Sequence, residues 1–319
     1  MIGHVEPSPI APRRLTPIAW HLPPPRRRSF ALRCTLLLAL TTVSLLIAGA
    51  AYAPGGETFG IGDLPGHWWS TLLAGLPYAL AVLAILGAHE MGHYLACRYY
   101  RIPATPPFFI PGLPPLGTFG ALIRIRGIIP DRRALFDVAV AGPLAGFVVA
   151  VPVLAWGLMR AEVFEMSPAA QGWYMEFGSP LIMHALGALI DPVEPTRMNS
   201  FMAAGWLGML VTSLNLFPVG QLDGGHAIYA VSRRLHRVLA WLTIAGLAGL
   251  IAWQALVPPR SAPAYTLWFL ILLWMRDRHP PVLDESVEPG PGRRLLALVL
   301  LAIFVLTFIA VPIRLVGGE

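Results

Sequence analysis

The sequence predicts an all-α polytopic membrane protein of about seven transmembrane helices, with a short membrane-associated β-hairpin or re-entrant segment. Three observations carry that prediction. Of the 319 residues, 56% are hydrophobic and only 13% charged. A soluble domain carries about 25% charged residues, so this chain cannot build a water-facing surface, which excludes a cytosolic globular enzyme. Apolar stretches long enough to cross ~30 Å of hydrocarbon recur along it. The charges between those stretches are asymmetric: all 23 basic residues are arginine, and alternate crossing places 19 of them on one side.

Residues 1–29 form an Arg- and Pro-rich segment, expected as a cytosolic tail. Arg13, Arg14, Arg26, Arg27, Arg28 and Arg33 lie before or at the start of the first apolar run, and positive charge stays inside. That run, Phe30–Tyr52, is long and lacks a clean small-residue cleavage site, so it reads as a span rather than a removable signal. An organellar transit peptide is the competing reading of the Arg-rich stretch. Further spans are expected at Trp69–Ala96, Ala134–Met159, Ser200–Pro218, Val238–Val257 and Arg294–Val316. Pro263–Met275 is short. If it did not cross, however, Arg276, Arg278, Arg293 and Arg294 would move to the outer face, so it is counted as the seventh.

Between the second and third spans, Ile102–Ile129 is rich in proline and glycine. Within it, Gly117–Arg126 carries β-branched residues in alternation near Leu122–Ile125, which predicts a short strand or hairpin. The segment from Met159 to Asn199, with Glu162, Glu165, Glu176, Asp191 and Glu194, is expected outside, and Pro280–Gly292 is a polar connector. Residues 30–319 thus read as one integral membrane domain with its core at 69–237. Cys34 and Cys97 form neither a disulfide framework nor a cysteine metal site. The net charge of +6 is accounted for by arginines flanking the spans, and no nucleic-acid motif is present.

The second span contains His89-Glu90-Met91-Gly92-His93. On a helix, positions i and i+4 share a face, so both imidazoles reach one ion, and Glu90 between them is placed as a general base. With nine histidines in the chain the pattern arises by accident only about 0.01 times. Ionisable groups inside an apolar helix are costly, and therefore functional by default. Catalytic zinc takes three protein ligands, so a third must come from similar depth. Asp223 meets that requirement: His89 is nine residues from Arg98, and Asp223 is ten from Arg233. Both distances are roughly 15 Å if helical. The competing reading of Asp223 is an N-cap for the helix that follows. His226, three residues on, could support the site or be interfacial. His184 and His279 are expected in solvent, and Asp137 at a helix start.

These residues resemble the site-2 protease family of intramembrane zinc metalloproteases. Its pattern, H-E-x-x-H followed by N-x-x-P-x-x-x-L-D-G, is matched at every fixed position by His89–His93 and by Asn215–Gly224. The run Phe136–Gly146, which ends Ala141-Gly142-Pro143-Leu144-Ala145-Gly146, and the stretch Gly117–Ile125 are also similar to family members. The resemblance, which covers roughly Ala88 to His226, implies one zinc per chain held by His89, His93 and Asp223, with Glu90 as catalytic base. It gives Asn215 a part in holding the substrate or the oxyanion. It further implies transmembrane protein substrates, cut near the cytosolic face. Because a helical substrate must be unwound to expose its carbonyls, Gly117–Arg126 is the candidate to hold it by β-augmentation, the competing reading being a re-entrant loop that only seals the site. Gly117 and Gly120, in that hairpin candidate, are taken as substrate-binding on the same ground. Neither an inserted PDZ domain before Asn215 nor an appended soluble domain is expected.

Three other classes compete: a metal transporter or sensor, a catalytically inactive relative that binds membrane helices, and a prenyl-protein protease. A transporter needs no base beside its ligands, and a prenyl-protein protease usually takes glutamate as its third ligand. The absence of lysine points to a GC-rich bacterial genome, and so to a bacterial cytoplasmic membrane, with the N-terminus placed in the cytosol by the positive-inside rule.

Overall fold

The computed structural model describes residues 27–53, 69–70, 72–162, 174–191, 197–256, 265–276 and 279–316. Residues 1–26 of the expected tail lie outside the described residues, as do Arg260, Arg278, Glu165 and Glu194.

The chain is mainly helical. Helix α1 (Arg27–Ala50) leads to α2 (Leu76–Tyr99), which starts behind Gly75 with Pro77 in its first turn, where a missing N–H costs nothing. Strands β1 (Phe108–Pro111) and β2 (Thr118–Leu122) pair antiparallel, Phe108 opposite Leu122 and Ile110 opposite Gly120. Only β2 lies in the stretch expected, Gly117–Arg126; its partner β1 precedes that stretch, β2 ends at Leu122, and Ile125 only bridges back to Ala104. Helix α3 (Arg132–Met159) is capped by Asp131, whose carboxylate accepts the Ala134 N–H. A second small sheet joins β3 (Tyr174–Phe177) to β4 (Ile313–Val316), antiparallel. Between them run α4 (Leu181–Ile190), α5 (Ser200–Asn215), α6 (Asp223–Val231), α7 (Arg233–Leu256), α8 (Thr266–Met275) and α9 (Pro291–Thr307).

Among the described residues, four helices are long and apolar enough to cross a membrane: Phe30–Ala50, Leu76–Tyr99, Arg132–Met159 and Arg233–Leu256. The other three expected spans form helices of 16, 10 and 17 residues. At about 1.5 Å per residue the longest reaches only about 25 Å. The reason is local. Helix α5 is halted by the turn at Pro218, and α9 starts at Pro291 with Pro312 beyond its end. Helix α5 is also the inner helix of the bundle, buried along nearly its whole length. Small residues allow this packing. A Cβ on Gly205 would lie 2.7 Å from the Leu154 Cβ, and one on Gly208 3.0 Å from the Ala150 Cβ.

Helices α2, α3 and α5 pack side by side, with Ile85, Ala150, Leu154, Met202 and Met209 in one cluster between them. Leu135, Phe136, Ala139, Val140, Ala227, Ala230, Leu300 and Ile303 make a second, which joins α3 to α6 and α9. The connector before α9 lies across the start of α3: the N–H groups of Leu283 and Asp284 donate to Ile129 and Pro130.

Candidate metal centre

Helical periodicity brings His89 and His93 onto the face of α2 that meets α3. Their Nε2 atoms lie 3.2 Å apart. Asp223 arrives from α6. It is the first residue of that helix, while Leu222 occupies the cap position without a side-chain bond, so the Asp223 carboxylate serves no cap. One of its oxygens lies 3.2 Å from His89 Nε2 and 3.3 Å from His93 Nε2. His89 and His93 are 3% and 7% exposed, and the Asp223 side chain 16%.

These three side chains are placed to bind a metal ion. Tetrahedral zinc with bonds of about 2.0–2.1 Å sets its ligand atoms about 3.3 Å apart, and the donor triangle has that edge on all three sides. The tautomer fits as well. His93 Nδ1 lies 2.7 Å from the Val138 carbonyl. A carbonyl only accepts, so Nδ1 carries the hydrogen and the Nε2 of neutral His93 presents its lone pair.

Glu90, 6% exposed, lies beside the triangle, and the backbone N–H of Ile123, just past β2, faces its carboxylate. Asn215, at the end of α5, puts its Nδ2 3.3 Å from His89 Nε2. The fold therefore gathers His89, Glu90, His93, Asn215 and Asp223 at one place. Gly117 does not join them. It has φ +73°, and a Cβ there would lie 2.8 Å from the Ser44 carbonyl. This glycine lets the hairpin turn close on α1. Gly120, at φ +106° within β2, has open space where a Cβ would be.

Two glycines of the Ala141–Gly146 run have a part that their resemblance did not explain. A Cβ on Gly142 would fall 2.1 Å from His93 Nε2, and one on Gly146 3.2 Å from His89 Nδ1. On the facing helix, a Cβ on Gly92 would strike the Ala141 carbonyl at 2.3 Å. The α2–α3 contact is thus narrow enough to hold both imidazoles only because these positions lack side chains. The four-residue spacing of Gly142 and Gly146 is the sole sequence signal for it.

The expectation that His279 is solvated is corrected. Its ring stacks on Tyr229 with centroids 3.6 Å apart. Its Nδ1 donates to the Pro280 carbonyl at 2.8 Å. Its Nε2 is then left to accept, from His226 Nδ1, also at 2.8 Å. In a neutral imidazole one nitrogen donates and the other accepts. Burial and the neighbouring His226 depress the His279 pKa to about 3. The reason is that the polar connector folds back onto α6 instead of trailing into solvent. His184 is exposed, as expected. Asp137 accepts two bonds of 2.7 Å from Arg293 and one from the Tyr100 hydroxyl, which ties the starts of α3 and α9 to the end of α2.

A histidine pair on one apolar helix, closed by an aspartate from a distant one, is the arrangement of membrane-embedded metallopeptidases. The chain belongs to peptidase family M50, the site-2 protease family, whose sequence model matches residues 77–252 and so spans every residue of the centre. Among curated proteins it is similar to a probable zinc metalloprotease EGY1, chloroplastic, of Oryza sativa subsp. japonica. That protein is 33% identical over 245 residues, 73% of this chain and 40% of the relative. The Arabidopsis thaliana EGY1 is also 33% identical over 245 residues, 75% of this chain and 43% of the relative. The Arabidopsis EGY2 is 30% identical over 258 residues, 77% of this chain and 43% of the relative. The chain therefore spans about two-fifths of the length of these relatives. They are chloroplast proteins, which does not match the expected bacterial cytoplasmic membrane. What the apolar helices and the family establish is a membrane protein.

Proposed function

We propose that this chain is a zinc metalloendopeptidase that hydrolyses peptide bonds within or next to transmembrane segments of other proteins, near the cytosolic face. The observation that carries the reading is the buried Glu90 carboxylate beside a donor triangle with the spacing of tetrahedral zinc. Zinc, when bound by His89, His93 and Asp223, supplies the Lewis acidity that makes water nucleophilic near neutral pH and polarises the scissile carbonyl.

The chain's own residues do the rest. Glu90 takes the proton from the attacking water and later hands it to the leaving amine. The Ile123 N–H orients its carboxylate. Asn215, with two amide hydrogens on an Nδ2 that lies 3.3 Å from His89 Nε2, would bond the substrate carbonyl or its oxyanion. A helical substrate hides its carbonyls in backbone bonds and must be unwound. The β1–β2 hairpin, whose β2 runs on into Ile123, offers strand edges to hold it extended, and Gly120 leaves room for close backbone approach there. Seven crossings, the N-terminus on the cytosolic side and one membrane domain over 30–319 complete the proposal, the shorter helices α5, α8 and α9 crossing within the bundle.

The test is to purify wild type, Glu90→Gln and Asp223→Ala in detergent, count zinc per chain and assay cleavage of a transmembrane peptide. Wild type should hold about one zinc and cleave. Glu90→Gln should keep its zinc and be inert, and Asp223→Ala should lose both. A Glu90→Gln protein that cleaves like wild type would overturn the assignment. An intact wild type that binds zinc without cleaving would favour transport or sensing.

A further inference from the structure

Arg132 is the first residue of α3, at a boundary where arginine ordinarily marks topology. Here its side chain is only 11% exposed and turns inward. Its Nε donates to the Ala230 carbonyl at 2.8 Å and one terminal nitrogen to the Val231 carbonyl at 2.7 Å. The other terminal nitrogen reaches the Glu285 carbonyl at 3.4 Å and a Glu288 carboxylate oxygen at 3.5 Å. Ala230 and Val231 end α6, where the last carbonyls of a helix have no partner of their own, and a cation there also complements the helix dipole.

Helix α6 has nine residues. Helices shorter than about 12–15 residues are marginal by themselves, so its position is set by what holds its two ends. The N-terminal end is seated on the preceding turn: a Cβ on Gly224 would lie 2.0 Å from the Leu216 carbonyl, and one on Gly225 2.6 Å from that of Gly220. The C-terminal end is seated on Arg132. From Ala230 back to Asp223 is seven residues, about 10 Å of rigid helix. Helix α3 also supplies the Val138 carbonyl that orients His93.

We infer that Arg132 is a positioning residue for the third metal ligand, holding Asp223 at ligating distance from His89 and His93 by clamping the far end of α6. Through it, the histidine side and the aspartate side of the centre are both referenced to α3. Arg133 is the internal comparison. Its bond runs to the Glu288 carbonyl at 3.1 Å, in the connector rather than in α6.

The inference rests on the metal reading of the site, and the test separates the two. Full-length wild type, Arg132→Ala, Arg132→Lys and Arg133→Ala are purified in detergent. Zinc affinity is measured by competition with a chromophoric chelator, and the Co2+-loaded protein gives a d–d absorption spectrum. Arg132 touches no ligand itself, but moving the third ligand off its position is expected to cost about 10–100-fold in affinity, the range for losing a direct outer partner, with weaker, shifted cobalt bands in Arg132→Ala as the donor triangle opens. Arg132→Lys, which can bond only one carbonyl well, should fall between. Arg133→Ala should match wild type in both readouts. Wild-type affinity and spectrum in folded Arg132→Ala would overturn the inference; should that variant fail to fold, the same result in Arg132→Lys overturns it. A wild-type protein that binds neither metal overturns the metal reading itself.

Discussion

Gly142 and Gly146 are two of the smallest residues in the chain, and the geometry of the centre depends on them. Alanine is the better helix former by about 1 kcal/mol, so on propensity alone either substitution should stabilise α3. Sterics reverse that for Gly142, whose added Cβ would overlap the His93 ring at 2.1 Å while Val138 holds the ring from its other side. Gly142→Ala is expected to weaken zinc at least about tenfold, in chelator competition, with the helical content by circular dichroism unchanged. Gly146→Ala meets His89 at 3.1–3.5 Å and should cost far less. Equal effects of the two would show that ring crowding does not set the site. At this scale His89, Glu90 and His93 were legible because an i, i+4 pair obeys the helical period. Asp223 was legible because an acid at that depth is rare. The glycines were not, since small residues are common in apolar helices and only the facing ring reveals their purpose. Arg132 was hidden by the rule that reads boundary arginines as topology.

At the level of elements, the connector 279–290 behaves as a brace. Tyr229 and Arg233, on α6 and α7, both bond the Glu285 carboxylate, and His279 stacks on the Tyr229 ring. Burial, with His226, His236 and Arg233 nearby, lowers the His279 pKa from 6.5 to about 3, although the Pro280 carbonyl opposes the shift. The native state thus favours neutral His279. Its contribution is fully present above pH 6.5 and is lost progressively as pH falls toward 3, because the unfolded chain takes up the proton first. Thermal unfolding in detergent should therefore show a steeper fall in Tm below pH 6.5 for wild type than for His279→Gln; parallel curves would refute it. A second element-level device is Asn199, which accepts the N–H groups of Phe201 and Met202 at the start of α5 and donates to Gly157 and Arg160 at the end of α3. Asn199→Ala should lower stability by about 1–2 kcal/mol, read as a drop in Tm, since it removes a cap and leaves carbonyls unpaired. Of the hairpin, alternation near Leu122–Ile125 marked the neighbourhood of β2, which ends where that alternation begins, while β1 carried no such signal. The brace was not legible, because a polar Pro/Gly-rich stretch looks the same whether it packs or trails.

Across the whole molecule, large apolar side chains are exposed along the outer helices, among them Leu36, Leu40, Val148, Leu242 and Leu267, as lipid-facing surface requires. The mean hydropathy of +0.64 foretold this environment, but apolar run length exceeded helix length at α5, which ends before Pro218, and at α9, which starts at Pro291. The orientation is open to test by thiol labelling in sealed vesicles, with Cys34 and Cys97 replaced. Ser286→Cys and Ser179→Cys, both exposed, should react from opposite sides. Labelling of both from one side would break the proposed topology. The placement of His89 within α2 carries a final consequence. Ten residues separate it from Tyr99, the cytosolic end of that helix in the proposed orientation, or about 15 Å. A substrate segment cut at that level leaves its inner fragment about ten apolar residues if helical and about five if extended, against the ~20 that anchor a helix. Under the proposed function, one cut at that level would leave the inner piece too short to be anchored by its apolar residues, free to pass into water.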